Sequence, residues 1–486
     1  MKVAIVVAPA RYWRWQRALA DRLGLRHAVS VFAGGDIGEI PPLVRALLAI
    51  ERRVFKTPAD VALEPGPAAA CGGVEGFDLV IDLSGGPARA GALRLLYDGA
   101  ADEAFLWGRL LRKQPPMIAV ARDDQTLAAS YAAIEDDLVL ARSLRFAFSR
   151  AALLIERAVE IVEGARRKAP VPDPAPHAPQ RYSDSLIAPF VLARAVAAVQ
   201  ALSRKRGHWV TAWRRGGGPF AVASADGAFI ADPFLVSCGG EDFLFAEALV
   251  DGGPKGRIVA ARLPKETQSV HFEHVLTEAH HLSYPHVFEH DGAMFMMPET
   301  AQAGKLSVYR ATDFPLRWEK HADVMDNAHV ADATIVQRDD CFYLFCTLVP
   351  QSGSSWDELS IFHGPSVFGP WTPHALNPVK SDARGSRMGG RFRIAGDRLL
   401  RPAQDCSTGY GAKLAWYDVT ELTPETFAER RIGEWDPKLF GDFMGLHTYD
   451  AYGDVEVLDI KMDRPRRALP QPRIVGGDEI RVPDAH

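Results

Sequence analysis

The chain has 486 residues, 47% hydrophobic and 24% charged, with a formal charge of 56 − 61 = −5. At roughly 150 residues per domain this is about two to four domains of ordinary globular composition, which argues against wholesale disorder, collagen and coiled coil. The absent basic excess argues against nucleic acid as a partner, and five cysteines without a CxxC pair argue against a disulfide framework and read as reduced thiols of a cytoplasmic protein.

The first eight residues carry one charge and an apolar run that Pro9 and Arg11 interrupt. That run is short for a signal segment, and no stretch reaches the roughly 18 apolar residues of a membrane span. The pattern predicts strands over 3–7, 28–32 and 77–83, and helices over 13–23 and 138–164. Strands alternating with helices predict an α/β domain over 1–168 with a parallel, Rossmann-like sheet. No GxGxxG follows the first strand, so the glycines of a dinucleotide cradle are missing.

Alternating prolines over 169–180 forbid helix and mark a linker. A helix is predicted over 185–205, with Leu186, Phe190, Ala193, Val196, Val199 and Leu202 apolar and Arg204-Lys205-Arg206 at its end. It reads first as a connector packed on the domain, with cations at its C-terminal dipole. The alternative is a peripheral membrane contact.

From Trp209 the texture changes to short aromatic and β-branched runs between Gly, Asp and Pro turns. Similar units begin near 229, 282, 330, 389 and 445. A recurrence of about 50 residues marks a propeller. We expect five blades over 207–486, closed by a strand near 209–213 or near 473–475. Met294, Met296 and Met297 read as core.

Innermost strands line a propeller's axis, so equivalent positions in each unit converge on one cavity. Those positions hold Asp232, Tyr284, Asp332, the 387–391 stretch and His447. Glycosidic chemistry needs one carboxyl group as acid and a second as base or nucleophile, about 5–9 Å apart. Asp232 is the candidate base or nucleophile and Asp332 the candidate acid. The alternative is that both merely cap strands. Glu247 and Glu299 end second strands after apolar runs, where burial would raise their pKa. Arg384, Arg387, Arg391 and Arg401 crowd one unit with Gln404 and Asp405. Guanidinium forks grip carboxylate or phosphate, which fits an acidic sugar, a sugar phosphate or a nucleotide-sugar donor. The equal alternative is an ion-pair network with Asp382, Asp397 and Asp405. Six histidines cluster over 271–290, but strand alternation splits them and argues against a metal there. His447 is the better axial ligand or substrate contact. No GxSxG supports a serine nucleophile.

The motifs ADPFLV (231–236), HLSYPHVFEHDG (281–292), MPE (297–299), ADATIV (331–336), RPAQDC (401–406), YGAKL (410–414) and GLHTYDAYGD (445–454) carry a resemblance. The stretch from 209 to 459 resembles the N-terminal propeller of plant glucosamine inositolphosphorylceramide transferases and their bacterial relatives. That domain in turn resembles glycoside hydrolase family 43. The resemblance implies a five-bladed propeller, cleavage or transfer of glycosyl groups and, in many members, a divalent cation on the axis. It matches Asp232 to the family's general base. Tyr284-Pro285 stands where the family has an acid that tunes pKa, and the shorter Asp332 stands near its proton-donor glutamate. Residues 1–165 weakly resemble a formyltransferase-like domain, but no His-x-Ser-Leu-Leu-Pro follows 77–83, which leaves a scaffold, a dimer surface or a sugar-nucleotide pocket.

The resulting expectation is an enzyme acting on a glycosidic bond of a cell-surface glycan or glycolipid. Asp232, Asp332 and Glu299 would be catalytic, and Tyr284, Glu247, Arg387, Arg391, Asp405 and His447 would hold the sugar. A glycan-binding propeller without catalysis, or activity in the N-terminal domain, are the alternatives. The sugar, the acceptor and the oligomeric state stay open at this stage.

Overall fold

A computed structural model describes residues 1–35, 39–67, 74–174, 178–202, 207–224, 228–249, 255–350 and 353–463. The chain forms two compact units, one of Met1–Val199 with Gln351–Asp357 and Ser381–Ala383, the other of the remainder.

The first unit is built on a six-stranded sheet in the order Ala28–Ala33, Lys2–Val7, Leu79–Leu83, Leu93–Tyr97, Met117–Arg122, Gln125–Tyr131. The first four strands run parallel, and the last two pairings are antiparallel. The expected parallel sheet is thus mostly parallel, with Met117–Arg122 the one strand that runs against the others. Met117–Arg122 and Gln125–Tyr131 are joined by only Asp123 and Asp124, with Asp123 at φ 51°, a connection that allows a hairpin and no parallel crossover. The helix Leu140–Val162 lays Leu144, Ala147, Phe148, Ala151 and Ile155 into the core, where Phe148 stacks with Trp15 and packs at a tilt on Trp13. Glu51, fully buried, accepts the Leu140 and Ala141 backbone N–H groups at 3.1 and 2.9 Å and so caps that helix.

Glu103 is buried in the same unit, accepting a 2.9 Å hydrogen bond from Trp13 Nε1 and lying 3.9 Å from Arg11. Burial raises its pKa to about 7, with Arg11 pulling the other way. A carboxyl whose folded pKa is raised favours the folded state while protonated. Its contribution is complete below the ordinary value of 4.5 and is lost as pH rises to about 7. Glu103→Gln removes that titration. The stability difference between variant and wild type should shift in the variant's favour by about 3 kcal/mol between pH 4.5 and pH 8. Urea unfolding at the two pH values checks this, and a pH-independent difference would sink it.

The second unit is a five-bladed β-propeller. The first blade contains Ile230–Cys238, Glu241–Leu249, Gly256–Arg262 and Glu273–Leu276. The second contains Ser283–His290, Ala293–Glu299, Lys305–Asp313 and Arg317–Asp326; the third, Val330–Arg338, Cys341–Leu348, Glu358–Gly364 and Thr372–Pro373. The fourth contains Arg393–Ala395, Arg398–Asp405, Lys413–Leu422 and Phe427–Trp435. The fifth joins Gly445–Tyr452 and Val455–Asp463 to Gly207–Arg215 and Ala221–Val222. The ring is thus closed through Gly207–Arg215, the first of the two expected strands, while 473–475 lies outside the described residues. Met294, Met296 and Met297 are core.

One irregularity recurs. In four blades the innermost strand places two residues opposite one of its neighbour. Asp232-Pro233 falls between the pairs Ala231–Glu247 and Phe234–Phe245, and Tyr284-Pro285 between Ser283–Glu299 and His286–Met297. Asp332-Ala333 falls between Ala331–Thr347 and Thr334–Phe345, and His447-Thr448 between Leu446–Ile460 and Tyr449–Leu458. Such a bulge bends the strand and re-aims one side chain. Asp232, Tyr284 and Asp332 adopt left-handed φ of 52°, 46° and 51°, which is uncommon for residues other than glycine. The fourth blade uses Gly390 instead, at φ 120°. A Cβ there would sit 1.9 Å from Tyr449 O, so the strand crossing to the fifth blade demands glycine.

Candidate functional site

The bulges deliver polar side chains to one another across blades. Asp232 Oδ1 lies 3.0 Å from His447 Nε2 and accepts a 3.0 Å bond from Thr448 Oγ1. Its Oδ2 accepts the Tyr284 N–H at 3.3 Å. Asp459 sits opposite the fifth-blade bulge. It accepts the backbone N–H groups of Asp232, His447 and Thr448 at 2.9, 3.2 and 2.9 Å. His447 Nδ1 is 2.9 Å from Asp459 Oδ1, in ion-pair contact but outside the angles of a hydrogen bond. Trp209 and Tyr410 pack on the imidazole with ring centroids at 4.0 and 5.2 Å.

A second group forms around Asp332. Both its oxygens face the Arg387 guanidinium, and Gln404 Nε2 donates to Oδ2 at 3.0 Å. Arg387 also lies 3.8 Å from Glu299 and over the Tyr410 ring. Tyr284 Oη meets Thr334 Oγ1 at 2.9 Å and accepts the Gly390 N–H at 2.8 Å. Glu247 faces His281 Nε2 at 3.4 Å.

The charges sort by environment. Burial pushes Asp232 up, but His447, Thr448 and Arg387 outweigh it, so the carboxylate lies below its ordinary pKa. Burial would depress His447; Asp459 and Asp232 instead raise it to about 10, an imidazolium at neutral pH. Burial raises Asp332, with Arg387 opposing. Burial raises Glu247 strongly, and the Asp232 and Glu299 carboxyls add to it. Glu299 is raised to about 8, first by burial and then by Asp332, while Arg387 opposes. The cluster therefore holds an ionised acid, Asp232, beside Glu299, which keeps its proton to about pH 8, and Glu247, raised well above its ordinary value.

Of the residues predicted from sequence, Asp232, Tyr284, Glu299, Asp332, Arg387 and His447 come together, with Glu247 at the edge. Arg391 instead pairs with Asp450 at 3.2 Å and donates to Leu235 O and Val287 O. Asp405 accepts from Ser407 at 2.5 Å and faces Arg431 at 3.4 Å. Arg401 is held by Glu429. Arg387, Arg391 and Arg401 are thus each engaged by an acid, Asp332, Asp450 and Glu429 respectively. The histidines of 271–290 disperse: His281 accepts the Gly256 N–H at 2.8 Å, while His286 is buried and held well below its ordinary pKa by that burial. Asp459, Thr448 and Trp209 were missed. The signal for Asp459 was an acid at an inward position of the run Val455-Glu456-Val457-Leu458.

Among the described residues, Asp232, His447 and Asp459 are the one group with ligand atoms close enough for a metal. They do not fit one. Both imidazole nitrogens are closed by carboxylates at 2.9–3.0 Å, and the Asp459 oxygens already accept three backbone N–H groups. A cation would have to break the His447–Asp232 contact.

Residues 218–434 match the family described as glucosamine inositolphosphorylceramide transferase 1, N-terminal. The chain is 39% identical over 205 residues to the glucosamine inositolphosphorylceramide transferase 1 of Oryza sativa subsp. japonica, covering 41% of this chain and 27% of that protein. It is 34% identical over 208 residues to the protein of that name from Arabidopsis thaliana, covering 42% and 27%. Among solved structures it is similar to a family 43 β-xylosidase/α-arabinofuranosidase from a compost metagenome, with TM-score 0.38, 11% identity and coverage of 53% and 96%. It is also similar to the Cellvibrio cellulosa α-L-arabinanase, with TM-score 0.33, 14% identity and coverage of 46% and 93%. The propeller is thus a homologue of the N-terminal region of these transferases, and the chain spans about a quarter of their length.

Proposed function

We propose that the propeller axis acts on a glycosidic bond, with Asp232 as base or nucleophile and Glu299 as proton donor. The observation that carries this is the split in protonation. Asp232 is held ionised by His447, whereas Glu299, which feels the Asp232 charge, keeps its proton up to about pH 8. Two carboxyl groups with pKa values pushed apart are what acid–base chemistry at a sugar requires. The acid role is given to Glu299 because Asp332 is clamped by Arg387 and Gln404 and serves to position them. Tyr410 and Trp209, packed on the His447 ring, supply apolar walls, and Arg387 a charge for an acidic sugar or a nucleotide-sugar donor. Similarity to the glucosamine inositolphosphorylceramide transferases supports a glycan or glycolipid substrate.

The test is turnover of a panel of glycosyl donors and oligosaccharides between pH 6 and 9. Turnover should fall above about pH 8, where Glu299 loses its proton. Glu299→Gln should slow turnover about 100-fold with poor leaving groups and much less with an activated aryl leaving group, which needs no proton. A specific observation favours a second reading, a glycan-binding propeller without catalysis: both Asp232 oxygens are already engaged within the protein. Glycan binding with no turnover of any donor would establish that reading.

A further inference from the structure

The helix Ile187–Leu202 of the sequence IAPFVLARAVAAVQAL carries one charge, Arg194, and no acid. A helix apolar around its whole circumference is ordinarily enclosed. This one is enclosed on one side only. Phe190 is 2% exposed, and Arg194 reaches across to Glu51 at 2.9 Å with its guanidinium over the Phe55 ring. The other side is bare. Leu192 is 65% exposed, Val196 47% and Val199 66%, and Ala188, Pro189, Val191 and Ala195 are exposed beside them. Spacings of three and four place these on one continuous stripe. The helix Pro42–Val54, which carries Glu51, also exposes Ile50 and Val54. An apolar stripe of this kind marks a contact surface.

The charge around the face says what the contact is. Arg52, Arg53 and Lys56 are exposed on or just after the helix Pro42–Val54, whose sole acid, Glu51, is buried under Arg194, while Arg45 of that helix pairs with the exposed Glu39. This basic border stands in a chain whose net charge is −5. A symmetric pairing of two copies through this face would set basic border against basic border. An anionic lipid surface complements both the apolar stripe and its border.

We propose that this face of the first unit docks on an anionic bilayer, with Ile187–Leu202 lying along the interface. Among the described residues no helix is long and apolar enough to cross a membrane, so the contact is with the surface. The inference is independent of the glycosidic reading.

The test is co-sedimentation of the full chain with vesicles of phosphatidylcholine alone and of phosphatidylcholine with phosphatidylserine. Binding is expected only with phosphatidylserine, weakening as salt is raised. The double variant Leu192→Glu/Val196→Glu should lower vesicle affinity about tenfold or more. Arg53→Glu/Lys56→Glu should do the same without touching an apolar residue. All four positions are exposed, so circular dichroism should match wild type. Absence of binding to phosphatidylserine vesicles, or binding that Leu192→Glu/Val196→Glu leaves intact, overturns the proposal. So does a wild-type dimer in light scattering that Leu192→Glu/Val196→Glu dissociates, because the face would then be covered by a second copy.

Discussion

Asp232→Asn should lower glycosyl turnover by about 10³–10⁴-fold while glycan affinity stays close to that of wild type. The amide keeps the size of the carboxyl and an oxygen for Thr448 Oγ1, so the bulge that aims it has no steric reason to move. What it loses is the negative charge, and with it both the basicity asked of residue 232 and one of the two counter-charges of His447. The second loss has its own readout. The His447 pKa of about 10 rests on Asp459 and Asp232 working against burial, so it should drop measurably in the variant when followed by NMR titration. A variant whose His447 titration moves while turnover stays at the wild-type level would assign Asp232 a purely structural role.

Arg387→Met should destabilise the propeller by about 3–5 kcal/mol at neutral pH, because it strips the counter-charge from a buried carboxylate. Asp332 is 2% exposed and would keep Gln404 as its side-chain donor among the described residues. The cost should shrink as pH falls. With Arg387 gone the largest influence opposing the rise that burial imposes on Asp332 is lost, leaving that of His447, and a carboxyl with a raised folded pKa is penalised only where the unfolded chain would ionise it. Adding Asp332→Asn should recover most of the loss, since an amide can be buried without a charge partner. Unfolding of the two single variants and the double variant, at pH 4.5 and pH 7, measures the coupling. Additive costs would show that the pair is not the unit it is taken for here. Glu299 supplies a further sign: Arg387 opposes its rise, so the alkaline fall of any residual turnover should move to higher pH in Arg387→Met.

The elements that were legible in the sequence share a local signature. The strands at 3–7, 28–32 and 77–83 and the helices at 13–23 and 138–164 have apolar periods that no partner needs to supply. The blades showed through because each inner strand repeats an apolar run that ends at a turn. The same register put Asp232, Tyr284, Asp332 and His447 at equivalent places, and all four fall on the same bulge. Outer strands such as Arg317–Asp326 and Phe427–Trp435 were not legible. They are half solvated and polar, and their pairing partners rather than their own pattern hold them. The one reversed strand of the first sheet, Met117–Arg122, was missed for a related reason, since strand direction is set by the connection and not by the run itself.

The sequence by itself therefore determined the two kinds of architecture, the spacing of the blades and the acids that sit at strand bulges, because hydrophobic period and turn chemistry act over a few neighbouring residues. Only the tertiary structure decided what each ionisable group faces. Arg387 meets Asp332 across 55 residues, Arg391 meets Asp450 across 59, and His447 meets Asp232 from the far end of the propeller's stretch of sequence. Inside a poorly polarisable core the energy of a charge depends on its distance to other charges in space. Chain separation carries no information about that distance until the ring is closed.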